Sequence, residues 1–206
     1  MDGVFMRKII KISVSFLLVL ALFEIYGAYK DKQFLSNNIV RLHVVANSDS
    51  ESDQAIKLRV KDAVAVAVEK MQNGLVTKQE VMCVLEENLP SLETVANNVL
   101  DSLGVSDRAK VTLEKEEFDT RYYDTFSLPA GVYDALRVEI GEGEGKNWWC
   151  VAFPSLCIPS SSKDFSDTAT GAGFSQSVTD TISNSKPYKV RFFLLDCIGK
   201  LENLFR

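Results

Sequence analysis

The chain has a single histidine, His43, and its basic side chains are outnumbered, with 23 Lys and Arg against 28 Asp and Glu. A net charge of −5 excludes the clustered-cation surface on which phosphate-backbone binding depends. His43 with the two cysteines nearest each other in sequence, Cys150 and Cys157, falls short of a zinc ligand set unless a carboxylate is recruited. The same scarcity confines any Cys–His hydrolase to one base, His43, with Cys150 or Cys157 as nucleophile. The Trp148-Trp149-Cys150 context matches no nucleophile signature. Other sites are missing in detail. Gly141-Glu142-Gly143-Glu144-Gly145-Lys146-Asn147 lacks the spacing and the hydroxyl residue of a P-loop, and its two carboxylates would repel phosphate. It precedes a strand-like run, so the dinucleotide fingerprint fails as well, and a hairpin loop is expected. Asp49, Glu51 and Asp53 lack EF-hand spacing and stand where a helix N-terminus favours carboxylates. Asp124-Thr125-Phe126 is not an aspartic-protease triplet. No internal repeat is present, and no cofactor or metal is expected.

What is present begins with a leader. Arg7, Lys8 and Lys11 precede an apolar run from Ile12 to Phe23, the order of a signal peptide's charged and hydrophobic regions. The run is shorter than the roughly 20 residues of a membrane span. Export of the remainder is expected, with residues 1–28 as signal peptide or membrane anchor. Gly27 and Ala28 supply small residues but no A-x-A site, so cleavage and retention both stay open. Residues 29–38 read as a polar spacer and residues 39–206 as one α+β domain.

The domain is organised around Ile39 to Met71. Ile39–Ala46 is β-branched and reads as a strand. Asn47-Ser48-Asp49-Ser50 stops it, and Ser50 with Asp53 approximates a capping box. The helix that follows places Ile56, Val60, Ala63, Ala67 and Met71 on one stripe. Helical patterns recur over 78–88 and from Pro90 to Gly104. Alternation over Ala109–Leu113, then Tyr122–Leu128, Ala135–Ile140 and Trp148–Phe153, marks strands. Together these predict a mostly antiparallel sheet covered on one face by helices. Residues 159–186, rich in Ser, Thr, Asp and Gly, read as a mobile loop, with a short helix within 167–182 as the alternative. Pro187 opens a final helix carrying Val190, Phe193, Leu194, Cys197, Ile198, Leu201, Leu204 and Phe205. Cys83 and Cys197 read as small buried hydrophobes. Cys150 and Cys157 would lie over about 20 Å apart on one continuous strand, but a turn at Pro154-Ser155 would allow a disulfide; bridge and free thiols both stay open. Trp148 and Trp149, adjacent on a strand, must face opposite sides, and an exposed Trp is a typical interface anchor.

Two blocks make the chain recognisable. RLHVVANSDSESDQAIKLRVKDAV, from Arg41, and LPAGVYDALRVEIGEGEGKNWWCVAFPSLC, Leu128 to Cys157, resemble the two signatures of the stage II sporulation protein R family. The resemblance implies a protein made in the forespore and exported into the space between forespore and mother-cell membranes. It implies a partner, a membrane-embedded aspartic protease of the mother cell. That protease matures the precursor of the early mother-cell sigma factor once signalled. By the same resemblance the chain is a ligand and not an enzyme. The rival class is an exported Cys-dependent hydrolase. His43, Asn47, Asp49, Trp148 and Trp149 are nominated as the interaction set.

Overall fold

Strand β1 (Val40–Val45) is buried at all six positions, so it must be central, with both faces covered. The computed structural model describes residues 3–156, 162–183 and 190–205, and in it β1 is the third of four strands ordered β2-β5-β1-β6. β1 pairs in parallel with β5 (Gly131–Ile140) and antiparallel with β6 (Asn147–Phe153). β2 (Ala109–Phe118) pairs antiparallel with β5 along ten residues. A short hairpin, β3 (Arg121–Tyr122) and β4 (Ser127–Leu128), stands beside this sheet. Two of the three pairings in the main sheet are antiparallel, as the alternation predicts.

One face is covered by α2 (Glu51–Met71), α3 (Lys78–Glu87) and α4 (Leu89–Ser102). Val60, Val64 and Val68 of α2 meet Val40, Leu42, Val44, Leu136 and Val138. The buried stripe of α2 is therefore rotated from the predicted one: Val64 and Val68 are in the core, while Ala63 and Ala67 flank it. Each fully buried valine contributes about 1.5–3 kcal/mol. Thr77 and Glu80 form a reciprocal capping box at the start of α3.

The opposite face carries a second core rich in aromatic rings. Phe118, Phe126, Tyr133, Phe165 and Phe174 pack there with Ala28, Leu35 and Leu195. Two expectations are corrected on this side. Residues 29–38 are not a spacer: α1 (Gly3–Asn38) runs unbroken through them, and Ala28, Lys32 and Leu35 are buried. The 159–186 stretch is not a loop over its described residues: it holds α5 (Ser162–Gly171) and α6 (Gln176–Ile182), with Phe165, Ala169, Phe174, Val178 and Ile182 buried. Residues 159–161, 184–186 and Pro187 lie outside the described residues. Finally, α7 (Val190–Leu204) buries Leu195, while Phe193, Leu201, Leu204 and the following Phe205 are exposed. Cys83 and Cys197, expected inside, are free and exposed.

The strands have a direction relative to α1. Gly131, the first residue of β5, lies beside Lys32 of α1 and Gly199 of α7. From there β5 runs for ten residues, about 30 Å at strand rise, and β1 runs parallel to it. The C-terminal ends of β1 and β5 are thus at the far end of the domain from the α1–α7 junction.

Candidate functional site

At that far end the two signature blocks close on each other. After β1 the chain turns through Asn47 to Ser50, and after β5 it turns through Gly141 to Lys146. Gly145 N–H donates to Ala46 O at 2.9 Å and Glu144 N–H to Asn47 O at 3.2 Å. The Asn47 side-chain oxygen accepts from Glu142 N–H at 3.0 Å, and Asp49 Oδ1 accepts from Lys146 N–H at 2.7 Å. Lys57, buried on α2, donates to Lys146 O at 2.8 Å and Gln54 Oε1 at 2.7 Å. Ser48 Oγ donates to Asp53 Oδ2 at 2.6 Å, and Ser50 caps α2 by accepting from Asp53 N–H. The Ser48 hydroxyl, helped by Asn47 and Ser50 against desolvation, holds the Asp53 carboxyl below the usual carboxylate range. Gly145 is required by proximity: a Cβ there would strike the Ser48 carbonyl. Glu142, Glu144 and Lys146 point outward from this fixed loop and are exposed.

Beside the knot, on the aromatic face of the sheet, lies a row of charges. His43 faces Glu116 Oε2 at 2.8 Å through Nδ1 and Asn147 Oδ1 at 2.9 Å through Nε2. Arg137 donates to Glu116 Oε1 at 3.0 Å and to Glu139 Oε2 at 2.7 Å. Burial acts to raise the Glu116 carboxyl, but the hydrogen bonds and charges of His43 and Arg137 outweigh it and hold it below the usual range. Trp149 stacks on His43, centroids 5.6 Å apart, and the Arg121 guanidinium lies 3.4 Å from the centroid of the Trp149 ring. Deeper in, the fully buried Arg41 sits 4.3 Å over Phe118 and donates to Tyr123 Oη at 2.9 Å and Cys150 O at 3.2 Å.

The profile of the stage II sporulation protein R family matches residues 36–163, which include both signature blocks. The chain belongs to the stage II sporulation protein R family. Membership gives it a role in sporulation. The stage II sporulation protein R of Bacillus subtilis (strain 168) is 33% identical over 124 residues, which are 60% of this chain and 55% of that protein. The matched stretch thus spans little more than half the relative's length. No solved structure matches this chain.

In this member of the stage II sporulation protein R family, the five nominated residues fall into three groups. Asn47 and Asp49 spend their side chains on the knot. His43 and Trp149 share the charged row. Trp148 faces the other way, as strand alternation requires, and packs half-buried under Lys61 on the α2 side. Neither Trp is fully exposed. Glu116, Arg137, Arg121 and Arg41 were not singled out from the sequence. A signal was available: Arg41 and His43 are two apart on a central strand, so their shared face must supply polar or aromatic partners. The hydrolase pairing of Cys150 with His43 does not form. Leu42 pairs with Cys150 and His43 with Trp149, so the Cys150 and His43 side chains lie on opposite faces. Cys150 is moreover disulfide-bonded. Cys157, the other half of the expected bridge and the other proposed nucleophile, lies outside the described residues.

Proposed function

We propose that this chain is an exported, membrane-tethered signal of endospore formation. It acts on a membrane-embedded aspartic protease of the mother cell, which then processes the precursor of the early mother-cell sigma factor. One observation carries the reading: the two blocks that define the family form a single hydrogen-bonded surface, held rigid at the end of the domain farthest from α1. A pre-ordered surface loses little conformational entropy on contact. It can act by binding one arrangement of a receptor better than another, since only differential affinity shifts an equilibrium. Arg7, Lys8 and Lys11 on the N-terminal side of α1 favour leaving that end in the compartment of synthesis, with the domain outside.

Co-expression of the full chain with the receptor-protease and the sigma precursor tests the reading. Processing is expected with the native chain and is expected to fall at least tenfold with Glu142→Lys/Glu144→Lys, whose thermal midpoint stays within about 2 °C of native because both positions are exposed. Processing that proceeds equally without the chain would end the proposal.

A further inference from the structure

Helix α1 leaves the domain with no break in its backbone. Ala28 is fully buried, yet Tyr26, Phe23, Leu22 and every apolar residue from Phe5 onward are at least 45% exposed. From Ile9 to Tyr26 this uncovered part is about 27 Å long at helical rise, close to the roughly 30 Å hydrocarbon thickness of a bilayer, with its two charges, Lys11 and Glu24, each within a turn of an end where a long side chain reaches the headgroups. α7 runs alongside, antiparallel to α1, so that its C-terminal end lies toward the side where α1 emerges. Its Asp196 is held on the domain by Thr120 and by Ala130 N–H, its Glu202 pairs with Lys32, and Phe205 reaches the groove lined by Tyr29. Among the described residues, the last turn of α7 therefore stands beside Tyr29 and Lys32, where α1 emerges from the domain. That turn shows Leu201, Leu204 and Phe205 at 56%, 76% and 80% exposure, beside Tyr26 at 57% and Tyr29 at 47%. Lys30 lies 5.0 Å over the Tyr26 ring, its charge at the same level. Leu and Phe next to Tyr and Lys, at the end of an uncovered apolar helix, is the composition of a membrane–water interface.

We propose that the C-terminal turn of α7 is a second membrane contact, with Leu204 and Phe205 seated in the interfacial layer of the bilayer beside Tyr26 and Tyr29. The inference rests on the reading of α1 as the resident membrane anchor. A lone helix leaves the domain free to swing about its exit point. A second contact on α7 fixes which way the strands point.

The full chain, with Cys83→Ser and Cys197→Ser, is to be reconstituted in phosphatidylcholine vesicles with brominated acyl chains. An environment-sensitive fluorophore is placed on one new cysteine at a time: Leu18→Cys in α1, Phe205→Cys, or Glu144→Cys at the far loop. All three positions are exposed, so the fold is kept. Strong quenching is expected at 18, quenching at 205 at least twofold above the background level seen at 144 with a blue shift, and only that background at 144. Quenching at 18 with 205 matching 144 would overturn the α7 contact while leaving the anchor. Absence of quenching at 18 would remove the anchor and the inference with it.

Discussion

Glu116 shows at single-residue scale how the charged row is held. Its carboxylate is only 13% exposed and meets both His43 and Arg137. Glu116→Gln is expected to cost about 1.5–3 kcal/mol at pH 7, the range for hydrogen bonds to charged groups. Because the folded-state pKa is depressed, the native contribution is complete above the unfolded value near 4.3 and is lost as pH falls through the lower folded value. Urea titrations from pH 7 to pH 3 are therefore expected to show the gap between native and variant closing below about pH 4. Gly145→Ala tests the knot. Its methyl would overlap the Ser48 carbonyl, and overpacking of this kind costs about 1–3 kcal/mol. The loss should appear as a lower urea midpoint with an unchanged slope. The cap at Ser50 was legible in the sequence, because it depends on neighbours a few residues apart. The bonds from Asn47 to Glu142 and from Asp49 to Lys146 were not, since they join positions 95 and 97 residues apart and no local pattern registers them.

Among the elements, α7 decides a contest between propensity and packing. Gly199 sits in a helix, where Ala would be favoured by about 1 kcal/mol. A Cβ there would occupy the position of the Ala130 carbonyl oxygen, so the helix could not keep its seat at the start of β5. Gly199→Ala is thus expected to destabilise by about 1–3 kcal/mol net and to raise hydrogen exchange in α7 before the sheet. The opposite outcome, a more stable chain, would show that α7 is held loosely. The main-sheet strands and α2–α4 were readable because burial writes its period, or for β1 an unbroken β-branched run, into the sequence; Tyr122–Leu128, read as one strand, is instead the β3–β4 hairpin. β2 was cut short at Leu113 in that reading because Glu114 to Glu117 offers no apolar alternation, yet its pairing with β5 continues to Phe118. α1 beyond residue 28 was missed because only Ala28, Phe34 and Leu35 mark its buried side amid polar residues. α5 was missed, and α6 (Gln176–Ile182) was held only as the alternative helix within 167–182, because Ser, Thr and Gly are weak helix formers. Their anchors, Phe165 with Ala169 and Phe174 with Val178 and Ile182, still recur at helical spacing.

At the scale of the whole molecule, the chain is a four-stranded sheet between two unlike layers. One is aliphatic and formed within the domain; the other is aromatic and depends on α1 and α7 from the two ends of the sequence. The thiols report on this arrangement. Cys83 and Cys197 are free and exposed and Cys150 is bridged. Alkylation in denaturant without reductant is expected to add two labels by mass, and after reduction four; four without reductant would show that no bridge is present. The parallel β1–β5 pair has a further consequence. It works as a strut: one end stands at the exit of the apolar helix and the other lifts Glu142 and Glu144 about 30 Å outward. With α1 retained as the proposed anchor and α7 fixing the orientation, a body of that height would reach a neighbouring bilayer only across a narrow cleft. Its range of action would then be set by how closely two membranes are apposed and not by how far a free protein diffuses.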